Sequence, residues 1–218
     1  YGGCIIYDGV RAELYQSRHT KKNDRLRMIF LGGYAKKKGQ EDLIEALKDL
    51  PQEIKNQLKI DFYGNGAEEY IRFLKKKVAQ YGLAEVMTLF SYQQDIWKKV
   101  PEYDVGLTCS KAEGFGRVTV EYMMSGLCAI ASDGGATPEI IQDGVTGILY
   151  ETSNKEALRD AIIWASNNQK AVQKIGENAA KSARQKFSMK KHAEEVKKLY
   201  YEVLKDARTN VLDYNSSI

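Results

Sequence analysis

The sequence from Asp104 to Gly135 reads DVGLTCSKAEGFGRVTVEYMMSGLCAIASDGG and joins two apolar runs through one amphipathic stretch. The runs Asp104–Thr108 and Cys128–Ala131 have the length and residue types of buried strands, and Arg117–Ser125 has the spacing of a helix. A glycine-rich loop follows each run. The order strand, loop, helix, strand predicts a parallel β-α-β unit, because a parallel strand pair needs a crossover connection.

The same alternation extends in both directions along the chain. Further strands are predicted at Arg27–Leu31, Leu58–Tyr63, Val86–Phe90 and Gly147–Tyr150, with helices at Gln40–Leu50, Glu68–Tyr81, Ile96–Val100 and Pro138–Gln142. No hairpin signal such as Asn-Gly joins one strand directly to the next. The sequence therefore predicts an α/β fold with a doubly wound, parallel six-stranded sheet and helices on both of its faces.

The two ends of the chain depart from this alternation. Ile5–Gly9 predicts a short strand and turn, and a charged linker follows at residues 18–25. After Tyr150 only helices are predicted, at Asn154–Asn167, at Lys170–Lys186 and from Met189 to about Ala207. We expect the polar tail that begins at Thr209 to fray.

Composition and charge argue against several classes of protein. Hydrophobic residues make up 43% of the 218 residues, which is enough to bury a core and too much for a disordered chain. The net charge of +4 is mild, whereas nucleic-acid-binding domains usually concentrate more basic charge on one face, so we expect no nucleic-acid partner. No run approaches the roughly 18 apolar residues of a membrane-spanning helix, and Tyr1-Gly2-Gly3 does not resemble a signal peptide. We therefore expect a cytoplasmic protein.

Cysteine and histidine usage indicates neither a disulfide framework nor a zinc site. The chain has three cysteines, Cys4, Cys109 and Cys128, without Cys-x-x-Cys or Cys/His ligand spacing. Neither His19 nor His192 lies in a glycine-rich loop. We expect three reduced thiols and no bound metal.

Glycine-rich loops follow several of the predicted strands at their carboxyl ends, where open parallel sheets bind ligands. In the loop from Gly32 to Gly39, glycines allow close backbone approach, and lysines before a helix start suit an anionic group. This loop ends in Lys38-Gly39, whereas a P-loop requires the order Gly-Lys-Ser/Thr, so it is not a P-loop. Gly64-Asn65-Gly66 is a tight turn, but the third glycine of a dinucleotide fingerprint would fall at Glu69.

The loop after the predicted strand Asp104–Thr108 carries the strongest cluster. Gly114 and Gly116 open a loop whose amides and helix start can hold a phosphate, with Glu113 in the loop and Glu121 about one turn into the helix. Carboxylates on both sides suit a ligand with hydroxyl groups on each side of its phosphates, as in a nucleotide sugar. The alternative is that neither carboxylate binds a ligand: Glu121 would only interact favourably with the helix dipole, and Glu113 would be an ordinary charged residue in a loop.

In this order, the motifs resemble those of the C-terminal, donor-binding domain of the retaining GT-B glycosyltransferases called family 4, over nearly the whole chain. The most specific match is the Glu-x7-Glu motif from Glu113 to Glu121, with further matches at Asp8–Val10, Lys38–Leu47, Gly134-Gly135, Pro138-Glu139 and Asp143–Gly147. The resemblance implies a Rossmann-like domain at residues 25–186, the C-terminal half of a GT-B fold with added C-terminal helices. An interdomain strand, turn and linker would occupy residues 1–24, and a crossover helix and tail residues 187–218.

The resemblance also implies roles for individual residues. Glu113 and Lys38 would be catalytic, with Glu113 at the transferred sugar and Lys38 neutralising the leaving diphosphate, while Glu121 would bind the ribose. The other donor-binding candidates are Gly32, Gly33, Gly64, Gly66, Tyr92, Phe115, Gly116, Arg117 and Val118. Of these, Phe115 and Gly116 would offer backbone amides, and Tyr92 lies in the loop expected near the base. Gly33 departs from the family pattern, which usually has arginine at this position.

The implied function is transfer of a sugar, with retention, from a UDP-, GDP- or ADP-linked nucleotide sugar to an acceptor hydroxyl in cell-surface polysaccharide or glycan synthesis. The nucleotide sugar is a substrate, and neither a metal nor a cofactor is expected. The acceptor, a glycan or a lipid-linked glycan at the inner membrane face, would bind an N-terminal lobe that is missing from this sequence. The apolar side of the last helix, which includes Tyr200 and Val203, would then be exposed or covered by a neighbouring molecule.

Two alternatives remain open. The absent arginine at Gly33 is compatible with a non-catalytic nucleotide-sugar-binding or partner subunit of a glycosyltransferase complex. A nicotinamide-dependent oxidoreductase fits the architecture, but Glu69 breaks the glycine fingerprint and the next strand ends in Phe90 instead of an acidic residue.

Overall fold

A single parallel sheet organises the molecule in the computed structural model, which describes residues 4–16 and 25–215. Residues 1–3, 17–24 and 216–218, which include His19 and most of the predicted linker, lie outside the described residues. The strands are β1 (Leu26–Leu31), β2 (Leu58–Tyr63), β3 (Met87–Phe90), β4 (Val105–Thr108), β5 (Cys128–Ser132) and β6 (Ile148–Tyr150). Their order is β3-β2-β1-β4-β5-β6, and all neighbours are parallel. The predicted doubly wound six-stranded sheet is confirmed.

Helices connect the strands and follow the last one. They are α1 (Gln40–Leu47), α2 (Gln52–Asn56), α3 (Glu68–Gln80), α4 (Arg117–Met124), α5 (Thr137–Ile140), α6 (Lys155–Asn167), α7 (Gln169–Lys186) and α8 (Met189–Asn215). In the part of the chain that the structure describes, short 3-10 turns occur at Ala12–Leu14, Lys36–Lys38, Ile96–Lys98 and Val100–Glu102. Of the described helices, none has the combination of length and apolar composition needed to cross a membrane.

The sheet is buried on both faces, which explains why its central strands read as continuous apolar runs. Every residue of β4 and β5 is buried. In β5, Cys128 and Ile130 pack into the core on one face, and Ala129 and Ala131 pack into the core on the other. Helix α1 packs against α6, and α4 packs against α7. The predicted helical layers on both faces are thereby confirmed.

Several predicted elements at the margins of the sheet are wrong. Ile5–Gly9 forms no strand, because pairing is limited to Val10, whose N–H donates to the Phe187 carbonyl at 2.9 Å and whose carbonyl accepts from Met189 at 3.0 Å. The predicted helix Ile96–Val100 is instead a 3-10 turn at Ile96–Lys98, followed by a second one at Val100–Glu102. Pro51 separates α1 from the unpredicted α2.

The last helix is longer than predicted. Helix α8 continues to Asn215, where the sequence predicted fraying from Thr209, and the intervening residues include neither glycine nor proline to stop it. Its Tyr200 and Val203 side chains are exposed, as expected for the apolar side of this helix, whereas Val196 is half-buried.

The two central strands diverge at their carboxyl ends. Strand β1 pairs with β2 along its whole length but with β4 only at Met28 and Ile29. Beyond this point the Tyr122 hydroxyl of α4 accepts a hydrogen bond from the Leu31 N–H at 2.6 Å. The Tyr122 ring lies over Gly106, where a Cβ would come within 2.2 Å of it. A tyrosine from α4 therefore replaces strand pairing at the point where the strand order reverses.

Substitution of Tyr122 by phenylalanine tests this replacement. We expect Tyr122→Phe to lower the free energy of unfolding by about 1–3 kcal/mol, because the Leu31 N–H loses its acceptor. Tyr70→Phe is the matched control, since the Tyr70 hydroxyl is buried without a hydrogen-bond partner among the described residues. We expect Tyr70→Phe to change the free energy of unfolding by no more than about 0.5 kcal/mol. Urea unfolding measures both, and equal losses would contradict a special role for Tyr122.

Candidate active site

A cleft of about 250 Å³ lies at the carboxyl ends of β1 and β4, where these strands diverge. This is the topological switch point of the sheet, the usual ligand position in this architecture. Its wall includes most of the residues predicted from the sequence, namely Gly32, Gly33, Lys38, Glu113, Gly116, Arg117 and Val118. The sequence therefore identified the loops that meet at this cleft.

Lys38 and Glu113 form an ion pair in the cleft, with 2.6 Å between Nζ and Oε1. The side chains are 29% and 19% exposed, so solvent screens them less than a surface pair. Lys38 ends a 3-10 turn, and Gly39 then adopts a left-handed φ of 75° before α1 begins. A Cβ at Gly39 would lie 2.0 Å from the Cys109 carbonyl oxygen, so glycine permits the backbone contact that brings Lys38 to the cleft.

The backbone of Glu113 is held by the next glycine-rich loop. Glu113 forms an isolated parallel bridge with Gly135, and its carbonyl accepts from the Ala136 N–H at 3.0 Å. Gly135 has a φ of 65°, and a Cβ there would lie 2.3 Å from the Glu113 carbonyl oxygen. The second glycine-rich loop therefore supports the cleft by fixing the loop that carries Glu113.

The N-terminus of α4 contributes the polar backbone of the cleft. Gly116 has a φ of 73° and precedes the first helical residue, Arg117. The first amides of a helix have no acceptor within it and carry partial positive charge, which favours an anion. A contact of 3.0 Å between the hydroxyls of Thr108 and Thr119 ties the end of β4 to this helix start.

Glu121 lies one turn into α4, beside the cleft. Its Oε1 accepts from Arg117 Nε at 3.2 Å, and the Arg117 guanidinium is 3.9 Å from Asp8 Oδ2. Burial raises the pKa of Glu121 above its usual range, while hydrogen bonds from the Tyr15 hydroxyl and Arg117 act in the opposite direction. Arg117 thus connects the Glu121 carboxylate to Asp8 of the segment before the sheet.

Four other predicted residues lie around the cleft instead of in its wall. Gly64 and Gly66 pack on the loop after β1, since a Cβ would lie 2.0 Å from the Gly32 carbonyl oxygen and 2.5 Å from that of Tyr34, respectively. Tyr92 is 63% exposed. The Phe115 ring packs between Tyr7 and Phe187 at 6.3 and 5.7 Å, which leaves its backbone as the part available to a ligand. Donor contacts by these residues stay predictions.

Sequence reasoning missed two residues that support the site. Gln40 is fully buried and donates from Nε2 to the Gly33 carbonyl at 2.8 Å. Its position directly after Lys38-Gly39 could have indicated it. Tyr15 packs with Val120 and Met124 of α4 across a large sequence separation, and no spacing pattern in the chain signals that packing.

The described residues contain neither a metal-binding cluster nor a disulfide. Among the side chains that the structure describes, in residues 4–16 and 25–205, no group of three or more His, Cys, Asp or Glu is placed to hold a metal ion. The three cysteines are free thiols. Burial raises the pKa of Cys109 and of Cys128 to about 12, so both stay protonated at neutral pH.

Comparison with known proteins identifies related sequences over most of the chain. The sequence model of the family described as "Glycosyl transferases group 1" matches residues 12–182. An uncharacterised glycosyltransferase of Methanocaldococcus jannaschii is 29% identical over 200 residues, which cover 91% of this chain and 53% of that protein. The chain spans about half the length of the curated relatives it matches.

Two solved structures share the fold. The Anabaena HepE protein, in complex with UDP and glucose, matches with a TM-score of 0.81 at 22% identity, over 90% of this chain and 56% of its own. The C-terminal domain of a group 1 family glycosyl transferase from Francisella tularensis matches with a TM-score of 0.73 at 23% identity. That match covers 83% of this chain and 100% of the Francisella chain.

Two substitutions separate the cost of the close backbone contact at Gly39 from the cost of its left-handed conformation. Gly82 also has a left-handed φ, of 65°, but a Cβ there would meet nothing within 4 Å. We expect Gly82→Ala to cost about 1 kcal/mol of folding free energy, the conformational part alone. Gly39→Ala adds the clash with Cys109 and should cost at least about 3 kcal/mol. Thermal unfolding of both variants measures the difference, and equal costs would contradict the close contact.

Proposed function

We propose that this chain, which belongs to the group 1 glycosyl transferases, binds a nucleotide sugar and forms the donor half of a retaining glycosyltransferase. The observation that carries the proposal is the cleft between β1 and β4, where the Lys38–Glu113 ion pair lies beside the N-terminus of α4. A cation and free helix amides suit a diphosphate, and the carboxylates suit the hydroxyl groups of the sugars on each side of it.

The proposed reaction breaks the bond between C1 of the sugar and the diphosphate oxygen and forms a bond from C1 to the acceptor oxygen on the same face. The proton of the acceptor hydroxyl passes to the leaving diphosphate. Negative charge develops on the leaving diphosphate. Lys38 and the first amides of α4 stabilise that charge electrostatically, which allows the reaction to proceed without a metal ion. Glu113 faces the transferred sugar and balances positive charge at C1.

Glu121 serves the nucleoside end of the donor in this proposal. An ionised carboxylate accepts hydrogen bonds and therefore suits the ribose hydroxyls, which donate them. The complex of the Anabaena protein with UDP and glucose supports UDP-glucose as the first donor to test. GDP- and ADP-linked sugars remain within the proposal.

The acceptor side is proposed from the length of the relatives. They are about twice as long as this chain, which supports an acceptor site in a further lobe outside these 218 residues. We propose a glycan or lipid-linked glycan as the acceptor, in polysaccharide or glycan synthesis at the cytoplasmic face of a membrane. The mild basic charge of +4 supports this location.

Gly33 favours a second candidate, a nucleotide-sugar-binding subunit without turnover. A Cβ at Gly33 would meet only the Asn65 carbonyl oxygen, at 3.3 Å, and the residue lies outside the left-handed region. The backbone therefore does not demand glycine here, and the cleft lacks a cationic side chain at this point. Binding and turnover must be measured separately to distinguish the two candidates.

Calorimetry without added metal tests nucleotide binding. We expect one of UDP, GDP and ADP to bind selectively, and Glu121→Ala to weaken that binding about 10- to 100-fold, because charge-assisted hydrogen bonds to the ribose are lost. Glu53→Ala, at an exposed glutamate of α2, is the control and should bind as the wild type does. Absence of binding by any nucleotide would contradict the proposed donor site.

Turnover with the acceptor-binding lobe supplied tests the catalytic role of Lys38. We expect Lys38→Ala to abolish measurable donor turnover, because the leaving diphosphate loses its neutralising charge. Lys75→Ala, at an exposed lysine of α3, is the control and should leave turnover unchanged. Near-normal turnover of Lys38→Ala would refute the role. Nucleotide binding without turnover in the wild type would favour the non-catalytic candidate.

A further inference from the structure

The backbone just beyond β1 keeps the alternation of an extended strand. The Gly32 N–H donates to the Tyr63 carbonyl at 3.1 Å, and the Tyr34 N–H donates to the Asn65 carbonyl at 2.8 Å. Both bonds continue the pairing with β2. Because successive backbone groups of an extended chain point to opposite sides, the backbone of Gly33 faces away from β2. It therefore faces the side on which β1 and β4 diverge, and Gly33 lies in the wall of the cleft.

The two polar backbone groups of Gly33 differ in their partners. Its carbonyl accepts a hydrogen bond from Gln40 Nε2 at 2.8 Å. Its N–H donates to no acceptor among the residues that the structure describes, and the residue is exposed. The Leu31 N–H, which points to the same side of the chain, already donates to the Tyr122 hydroxyl. The N–H of Gly33 is thus a donor that remains available to a ligand in the cleft.

The glutamine that binds the Gly33 carbonyl is not explained by stability alone. Gln40 is the first residue of α1 and is fully buried. Its Nε2 has the Gly33 carbonyl as its partner, but its Oε1 is buried with no hydrogen-bond partner among the described residues. Burial of an unpaired carbonyl oxygen costs folding free energy, and a methionine of similar length would avoid that cost. The effect of Gln40 on the cleft wall is the alternative explanation.

We propose that the Gly33 N–H donates a hydrogen bond to a diphosphate oxygen of the nucleotide sugar, and that Gln40 is a positioning residue that orients this amide. The inference rests on the proposed function, because it places the diphosphate in this cleft. The consecutive glycines Gly32 and Gly33 give this backbone more freedom than other residues would, and the bond from Gln40 limits that freedom. An amide that is already oriented loses less freedom when the ligand binds, so the affinity is higher.

The position of Gln40 in the chain links this amide to the cation of the cleft. Gln40 follows Lys38 by two residues, and the Lys38 ammonium lies in the same cleft wall as Gly33. The side-chain bond from Gln40 to Gly33 therefore closes the loop that carries both groups. A charged donor and a neutral backbone donor then approach one diphosphate from a single loop, which suits an anion with several acceptor oxygens.

Substitution of Gln40 by methionine separates a positioning role from a structural one. Gln40→Met removes the donor to Gly33 together with the unpaired Oε1, and water can replace the lost donor because Gly33 is exposed. We expect the melting temperature without nucleotide not to fall. Calorimetry without added metal should show about 3- to 10-fold weaker binding of whichever of UDP, GDP and ADP the wild type binds.

Gln57→Met is the matched control. Gln57 directly precedes β2, at the edge of the sheet opposite to the cleft, and its Oε1 accepts from the Ser166 hydroxyl at 2.8 Å. Ser166 is buried, so loss of its acceptor should lower the melting temperature by about 2–4 °C. We expect nucleotide affinity to stay at the wild-type value, because this bond lies far from the cleft.

The Gly33 amide itself can be observed by NMR in the 218-residue chain. On titration of the wild type with the nucleotide that binds, we expect the Gly33 amide proton to shift downfield, as a hydrogen bond to phosphate requires. The corresponding nucleoside, uridine, guanosine or adenosine, has no phosphate and should leave this proton unshifted. In Gln40→Met, the shift at saturation with the nucleotide should be smaller than in the wild type.

The outcomes separate this inference from the proposed function. Unchanged nucleotide affinity in Gln40→Met would overturn the role of Gln40, and a Gly33 amide proton that stays unshifted while the nucleotide binds would overturn the role of Gly33. A melting temperature lowered as much as in Gln57→Met, or a Gln40→Met chain that does not fold, would show that Gln40 serves stability and would overturn its positioning role. The wild-type titration would still decide the role of Gly33. Absence of nucleotide binding by the wild type would overturn the proposed function and this inference with it.

Discussion

The candidate site depends on the divergence of β1 and β4, which Tyr122 maintains. Its ring lies over Gly106 and its hydroxyl takes the Leu31 N–H that would otherwise pair with β4. If the two strands stayed paired to their ends, the space beyond Ile29 would be filled by sheet. Separation of the strands at the switch point instead leaves a cleft bounded by two loops and one helix start.

The charged residues of the cleft meet because the loops that carry them touch backbone to backbone. Glycine at positions 39, 64 and 135 permits approaches to carbonyl oxygens that a Cβ would obstruct at 2.0 to 2.3 Å. The contacts at Gly39 and Gly135 hold the backbone beside Lys38 and that of Glu113, whose side chains form the ion pair. Electrostatic preorganisation of this kind is what a site for a developing negative charge requires.

The sequence predicts the sheet and the cleft well because both follow from local patterns. Apolar runs alternating with amphipathic stretches indicate a parallel sheet, and the carboxyl-end rule then places Lys38 and Glu113 together. Contacts between distant backbone groups leave no such pattern. The predicted strand Ile5–Gly9 therefore does not form, since pairing in this segment is a single bridge at Val10, and the packing of Tyr15 against α4 could not be predicted.

Arg184 of α7 has a consequence for how this domain is delimited. It takes carbonyl partners from Ala12, Tyr15 and Met124, so residues near both ends of the chain converge on the helix of the candidate site. A boundary drawn at β1 would remove two of these three acceptors. The smallest unit to transplant between related chains is therefore the sheet together with the segment before it, and a chimera should be joined ahead of that segment.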